Sequence, residues 1–359
     1  MSQGRRLSAD LKETLEFVAP GTEIRAAIEN VILAGNGGLM VFADPAELGG
    51  RVVSGGMRLG CDLTPMRLYE LSKMDGAIVV SPDLSTIHRA NAQLTPDPDI
   101  PSQETGLRHL AAHRTACQTG ARAIAISNRR KVVTLYPGEH RPRVLDPVGV
   151  VLGKAGSAIV TLEKFARRLR EQTRLLSVHE YEGTATLAEV VGVLTTFEYT
   201  AHIAERVEDY VAELGTEGNL IALQLEQATH WIPTQHEALV RDYVPKDVSH
   251  EEARRRLQDL TTSRLSDAPR LAKALGYSRA EFSEDPPLSP RGYRQLAQLP
   301  RIPGKIRAQL VEHFGSLDSL TRAPEQELSR VHGVGKARAR AITRGLHRSR
   351  ELGPPAELS

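Results

Sequence analysis

The chain has 359 residues, 40% of them hydrophobic and 25% charged, and a net charge of +2. That is ordinary globular composition, with room for two or three domains and sizeable cores. Cys61 and Cys117 are the only cysteines; they have neither a disulfide framework nor metal-ligand spacing, which fits a reducing cytoplasm. No apolar run approaches the roughly 20 residues of a membrane span, and the polar start lacks a signal peptide's apolar segment. The expected setting is therefore cytoplasmic, with no membrane partner.

A polar helical start runs to Pro20, and Ile24, Ile28, Val31 and Ile32 recur at helical spacing over Thr22 to Ala34. Gly35-Asn36-Gly37-Gly38 reads as the turn into a strand, Leu39 to Phe42. The turn lacks the Gly-Lys-Ser/Thr ending of a P-loop, so a helix-to-strand connection is the expectation. Thr64-Pro65 is an N-cap and first-turn signature for a helix with Leu68, Leu71 and Met74 on one face. Strands are expected at Ala77–Val80, Ala123–Ser127 and Val132–Tyr136, with Asn128-Arg129-Arg130 as a hairpin turn. Strands interleaved with helices indicate an α/β domain ending near Arg143.

Beyond Gly156 the pattern changes to long helices. Ile159, Leu162, Ala166, Leu169, Thr173 and Leu176 form a packing seam, and a second helix runs from Leu187 to Leu214. Gly215 to Gly218 reads as a turn, and Glu251 to Leu265 as a charged helix. His202 and His230 lack partners at ligand spacing and read as structural. Asp285-Pro286-Pro287-Leu288-Ser289-Pro290 is the clearest linker.

The near-neutral total hides an asymmetry. Arg291 to Arg350 holds thirteen Lys or Arg against four acids, a net +9, which leaves −7 for the remainder. A basic module on an acidic body suggests a polyanionic partner.

The stretch Met74 to Ser127 carries the chemistry. Asp75 sits on a glycine turn before an apolar strand, and Gly106 opens a helix with Arg108 and His109 in its first turn. A helix N-terminus offers unpaired N–H groups and partial positive charge, and glycine lets an anion approach the backbone. Arg108 and His109 add donors. Asp75 is the carboxylate that can hold a divalent cation.

Asp75-Gly76-Ala77, the frame Glu104-Thr105-Gly106-x-Arg108-His109, and Gln118-Thr119-Gly120 with Ile124-Ala125-Ile126-Ser127 together resemble the bacterial diadenylate cyclase family. The likeness is to its DNA-integrity-scanning branch in particular, and it extends over essentially the whole chain. It implies an α/β N-terminal nucleotide-cyclase domain, a mixed sheet with flanking helices, over residues 1–145. An all-α spine over 146–287 and a small α helix-hairpin-helix domain over 288–359 follow. The implied reaction condenses two ATP into cyclic di-AMP and pyrophosphate with Mg2+ or Mn2+. The implied assembly is a homo-octamer in which cyclase domains face one another.

By the same resemblance the catalytic residues are Asp75, Arg108 and His109, and Asp75 and His109 hold the metal. Gly76, Ala77, Leu94, Gly106, Leu107, Arg108, His109, Leu110, Ala111 and Ser127 line the nucleotide site. The sequence departs from the family where Thr-Arg-His-Arg-Thr (or Ser) is replaced by Leu107-Arg108-His109-Leu110-Ala111. His113 stands where Glu is usual, and Gly35-Asn36-Gly37 where Arg-Thr-Gly is usual. Loss of one transition-state donor typically costs about 10²–10³ in rate. Two readings follow: a diadenylate cyclase, slowed by these changes, and a DNA-binding scaffold with a degenerate site.

In the basic module, Val331-His332-Gly333-Val334-Gly335-Lys336 before a helix resembles the helix-hairpin-helix DNA-binding motif, with a more degenerate copy around Gly304. The glycines expose backbone N–H groups at a helix start, where a phosphate oxygen can bind. The expected DNA contacts are Gly304, Lys305, Gly333, Gly335, Lys336, Arg338 and Arg340. Branched DNA, such as a Holliday junction, is the expected partner.

Overall fold

The computed structural model describes residues 9–138, 141–260 and 264–352. It divides into two compact units, one reaching Ala155 and including Glu208–Leu220, the other formed by Gly156–Val207 with the chain from Ile221 onward.

The first unit is built on an eight-stranded mixed sheet. In chain order its elements are α1 (Ala9–Phe17), α2 (Glu23–Leu33), β1 (Gly38–Phe42), α3 (Pro45–Val52), β2 (Val53–Ser54), β3 (Met57–Asp62) and α4 (Pro65–Ser72). There follow β4 (Ala77–Val80), β5 (Thr86–Leu94), α5 (Leu107–Thr119), β6 (Arg122–Ser127), β7 (Val132–Pro137) and β8 (Arg143–Leu145). The strand order is β2-β5-β4-β1-β6-β7-β8, and β3 also pairs with β5. Among the described strands only β1 and β4 run parallel, with Val41 opposite Val79.

Period-two alternation sorts the side chains onto two faces. Met40, Phe42, Ile78, Val80, Ile124 and Ile126 pack with Ile24, Ile28 and Val31 of α2 and Leu68 of α4. Leu39, Val41, Val79, Ala123 and Ala125 pack on the other face with Leu48 of α3 and Ala112 and Ala116 of α5. Alanine against alanine lets α5 lie close to the sheet.

Local signals start the helices as the sequence indicates. Thr22 and Thr64 accept hydrogen bonds from the N–H groups of Arg25 and Arg67, each at 3.2 Å. Gly35 closes α2 in the left-handed region at φ +69°, and Asn36 N–H reaches back to the Val31 carbonyl at 3.0 Å.

Two long helices follow, α6 (Val148–Glu182) and α7 (Leu187–Leu214), then a 3-10 turn at Gly215–Gly218. The expected seam is present: Ile159, Leu162, Ala166, Leu169, Thr173 and Leu176 are all buried. The remaining helices are α8 (Asn219–Thr229), α9 (Ile232–Tyr243), α10 (His250–Gln258), α11 (Ala268–Leu275), α12 (Arg279–Glu284) and α13 (Tyr293–Ala297). They are followed by α14 (Gly304–Phe314), α15 (Leu317–Arg322), α16 (Glu325–Leu328) and α17 (Lys336–Leu352). The charged helix expected over 251–265 ends at Gln258; residues 261–263 lie outside the described residues. Leu296, Leu310, Leu317, Leu328, Ala339 and Ile342 form the core of the last helices. No helix among the described residues is long and apolar enough to cross a membrane.

Candidate nucleotide site

Asp75 follows α4 and its side chain is 98% exposed. Its conformation depends on Gly76, which sits at φ +94°. A Cβ there would lie 2.8 Å from the Ala92 carbonyl oxygen and 2.9 Å from the Asn91 carbonyl carbon. Only glycine fits that approach to β5. The Asp75 carboxylate is thereby presented beside α5, where Oδ1 accepts from Arg108 Nη2 at 3.1 Å.

Gly106 caps α5 in extended conformation, and no side chain caps the helix. The first-turn N–H groups of α5 have no intrahelical acceptors, which is the arrangement that receives an anion. The Arg108 guanidinium lies against Gly37; a Cβ on that glycine would come within 2.7 Å of Nη1. The turn read as a plain connection thus leaves room for the arginine.

His109 turns inward. Its Nδ1 is 2.9 Å from the Tyr136 hydroxyl, while Nε2 is buried with no hydrogen-bond partner. Burial holds the imidazole below its usual pKa; the Glu104 charge opposes this and Arg130 adds to it. Burial, then the hydrogen bond and charge of Glu104, raise the Tyr136 phenol, which stays protonated.

Three contacts tie the loop before Gly106 to α5. Asp97 N–H donates to Gln118 at 2.8 Å, Arg114 Nε to the Ile100 carbonyl at 2.9 Å, and His113 Nδ1 lies 2.7 Å from Ser102 Oγ.

Of the other expected residues, Leu107 is 86% exposed, and Leu110 and Ala111 are half-buried. Ala77 is fully buried, leaving only its backbone for a ligand. Leu94 is half-buried on β5, and Ser127 Oγ accepts from the Arg130 N–H at 3.4 Å. The structure joins Asp75 to Arg108 directly, while the hydrogen bond of Ser127 goes to Arg130 rather than to either of them.

Sequence reasoning placed Glu104 in the motif frame without giving it a role, and it missed the approach of Tyr136 and Arg130 to the first turn of α5. Arg130, taken as part of a hairpin turn, reaches Thr105 Oγ1 at 3.4 Å. The only sequence signal was a basic residue in the turn after Ser127.

Among the described residues, no group of three or more His, Cys, Asp or Glu is arranged to hold a metal ion. Mg2+ commonly uses one or two protein carboxylates and completes its shell with phosphate and water. The exposed Asp75 carboxylate fits that mode; His109 Nε2 has no hydrogen-bond partner and is buried.

In the last helices, Ile302, Val331 and Val334 are buried while Gly304, Lys305, Gly335 and Lys336 are exposed. Gly304 and Lys336 are the first residues of α14 and α17. Gly333 has φ +81° and its carbonyl accepts from Arg338. Arg340 pairs with Glu325 at 3.3 Å.

A family model described as DisA bacterial checkpoint controller nucleotide-binding matches residues 25–141. One described as DisA bacterial checkpoint controller linker region matches residues 145–283. The DNA integrity scanning protein DisA of Clostridium kluyveri is 40% identical over 342 residues, covering 95% of this chain and 96% of its own. That of Clostridium botulinum is 41% identical over 341 residues, with 95% and 96% covered. That of Streptomyces coelicolor is 40% identical over 346 residues, with 95% and 92% covered. With a third or more of residues shared along nearly the full length of each relative, the chain belongs to the DNA integrity scanning protein family.

Proposed function

We propose that this chain is a diadenylate cyclase coupled to DNA binding. The observation that carries the reading is the Arg108–Asp75 pair at the uncapped start of α5, in a chain of this family. ATP is the substrate. The 3′-oxygen of one ATP bonds to the α-phosphorus of the other, the bridging bond to the β-phosphate breaks, pyrophosphate leaves, and the hydroxyl proton is released. A reciprocal second step gives one cyclic di-AMP and a second pyrophosphate.

Each copy contributes one nucleotide site, so two cyclase domains must face each other, and a homo-octamer provides this. Arg108 and the α5 N–H groups neutralise phosphate charge. Asp75 and His109 would hold Mg2+ or Mn2+, which when bound would favour the ionised hydroxyl. Gly76, Ala77, Leu94, Gly106, Leu107, Leu110, Ala111 and Ser127 enclose the nucleotide. The division at 145 and 287 assigns the parts: cyclase, helical spine and helix-hairpin-helix module. In the module, Gly304, Lys305, Gly333, Gly335, Lys336, Arg338 and Arg340 bind the phosphates of branched DNA.

The exposed Leu107 and the half-buried Leu110 favour a second reading, a DNA-binding scaffold whose site no longer turns over. Incubation of the full chain with ATP and Mg2+ or Mn2+, followed by chromatography, separates the two. Cyclic di-AMP is expected. A folded, assembled chain that makes none is the scaffold.

A further inference from the structure

The two hairpins of the last helices correspond residue by residue but differ in chemistry. Ile302 and Val334 are buried in one core. Pro303 and Gly335 stand immediately before α14 and α17. Arg301 and Gly333 both lie in the left-handed region, at φ +62° and +81°. The hairpins also adjoin, since a Cβ on Gly333 would lie 3.4 Å from Ile306 Cδ1. Gly335 carries an N–H at the head of its helix, whereas Pro303 carries none. Glycine adopts a positive φ at no steric cost; arginine does so only with strain. Arg301 is exposed, so the strain serves no packing and directs attention to what its side chain can bind.

Charge at the helix starts points the same way. Acids are favoured in the first turn of a helix and cations are not. The intervening α15 and α16 follow this, with Asp318 in one and Glu325 and Glu327 in the other. Neither α14 nor α17 has an acid in its first turn. At the start of α14 stand Lys305, exposed, and Arg307, whose Nη2 would lie 3.9 Å from a Cβ on Gly304. Arg307 Nε is buried with no hydrogen-bond partner. In the second hairpin, by contrast, Arg338 is bound to the Gly333 carbonyl and Arg340 to Glu325. We propose that the first hairpin grips a DNA phosphate through side chains, with Arg301 as the principal donor and Lys305 and Arg307 beside it, in place of the N–H that Pro303 lacks. A guanidinium offers a fork of N–H groups that fits two phosphate oxygens. Glycine at 301 would relax the backbone but leave this hairpin with neither donor. The assignment rests on the DNA-binding reading above.

The test is titration of the full chain with junction and linear DNA at two salt concentrations, with melting temperature measured alongside. Arg301→Gly should keep the wild-type melting temperature, because glycine accepts φ +62° without strain. It should nonetheless bind both DNAs about tenfold more weakly, the size of one hydrogen-bonded contact to a charged group. Its log-affinity against log-salt slope should be lower by about 1. Arg301→Asn, which tolerates the left-handed backbone without glycine's freedom, should lose as much. Arg301→Lys keeps the charge, so the slope should hold while loss of the fork lowers affinity. Wild-type affinity and slope in both Arg301→Gly and Arg301→Asn overturn the proposal. If Lys336→Ala weakens binding while those two variants do not, only the role of Arg301 falls. A wild-type chain that binds neither DNA overturns the DNA-binding reading together with the proposal.

Discussion

Arg294 and Glu180 form an ion pair with both side chains fully buried, Nε to Oε1 at 2.9 Å. Glu180 also accepts from the Tyr243 hydroxyl at 2.8 Å and from Gln295 Nε2 at 2.5 Å. Arg294 Nη2 donates to Ser177 Oγ at 2.8 Å and the Thr173 carbonyl at 3.0 Å. Beside them the Asp242 carboxylate accepts from the N–H groups of Gly292, Tyr293 and Arg294 at 2.7, 2.7 and 2.8 Å. A carboxylate on α9 thus caps α13. Arg291 returns the favour at the other terminus, donating to the carbonyls of Arg241 and Val244 at 2.5 and 2.7 Å. The segment after Pro290 is stitched to α6 and α9.

Breaking that ion pair from one side should be costly. Glu180→Gln or Arg294→Met leaves the other charge buried without its ion-pair partner, which typically costs about 3–5 kcal/mol. Replacing both, as Glu180→Leu with Arg294→Met, should cost less than either single change. Urea denaturation of the full chain measures all three. Single variants within about 1 kcal/mol of wild type would show that water reaches the pair.

The same cluster predicts a pH dependence. Asp242 is buried, and burial followed by the Glu180 charge pushes its carboxyl up to about 7, against the Arg294 and Tyr293 N–H groups and the Arg294 charge. In the unfolded chain it titrates near ~3.9. Between these values the folded chain holds a proton that the unfolded chain has released, so stability falls as pH rises through this window. Melting temperature should drop from about pH 5 to about pH 7 and level off above it, and Asp242→Asn should flatten the slope. An equal slope in that variant assigns the effect to other groups.

These residues also show what a sequence conceals. Arg291 and Arg294 count toward the basic surface of the module, yet one caps a helix and the other is fully buried. The proline-rich stretch read as a linker is strapped down: Leu288 N–H donates to the Ala185 carbonyl at 2.7 Å, and Ala188 N–H to Asp285 at 2.7 Å. Composition marks where a chain turns, not whether the turn is packed. The seam of α6 was legible because spacings of three and four persist over many turns. Strand β5 was not, because its apolar positions Ile87, Ala90 and Ala92 lose period two. Register shifts interrupt its pairing with β4, and Asn91 sits at φ +50°. Asp75, Gly106, Arg108 and His109 were legible as local motifs. Tyr136 and Arg130 enter the site only through tertiary approach.

Asp75 can be tested without disturbing the fold, because its side chain is 98% exposed and bonded only through Arg108. Asp75→Asn should abolish cyclic di-AMP formation while melting temperature and DNA binding stay at wild-type values. Product at the wild-type rate from that variant would take the metal role away from Asp75.

The departures at the start of α5 predict a gain of function. Leu107 is 86% exposed, so Leu107→Thr removes no packing, and Leu110 is half-buried. Leu107→Thr with Leu110→Arg should raise turnover by about 10-fold or more, the scale of a restored transition-state donor. No gain in a protein of unchanged assembly would place the limitation outside these two positions.

The DNA contacts of the last helices should be phosphate contacts, and the structure says which substitutions test them cleanly. Truncation at Pro290 is a poor probe, since it strips Glu180 and Asp242 of their buried partners. Gly333 is also unsuitable, because its φ of +81° penalises any side chain. Gly335 has no such strain, and a Cβ there meets nothing within 4 Å. Gly335→Val should therefore keep the fold while blocking close approach of a phosphate to the start of α17. Lys336, exposed at the first position of that helix, supplies charge without base reading. Lys336→Ala should weaken binding to all sequences alike and lower the log-affinity against log-salt slope by about 1. An oligomer presents several modules to the converging arms of a junction, so wild-type affinity should be higher for branched than for linear duplex DNA. Titrations of junction and linear DNA at two salt concentrations measure all three effects. If both variants bind junctions as the wild type does, with the same salt slope, the DNA surface lies elsewhere on the molecule.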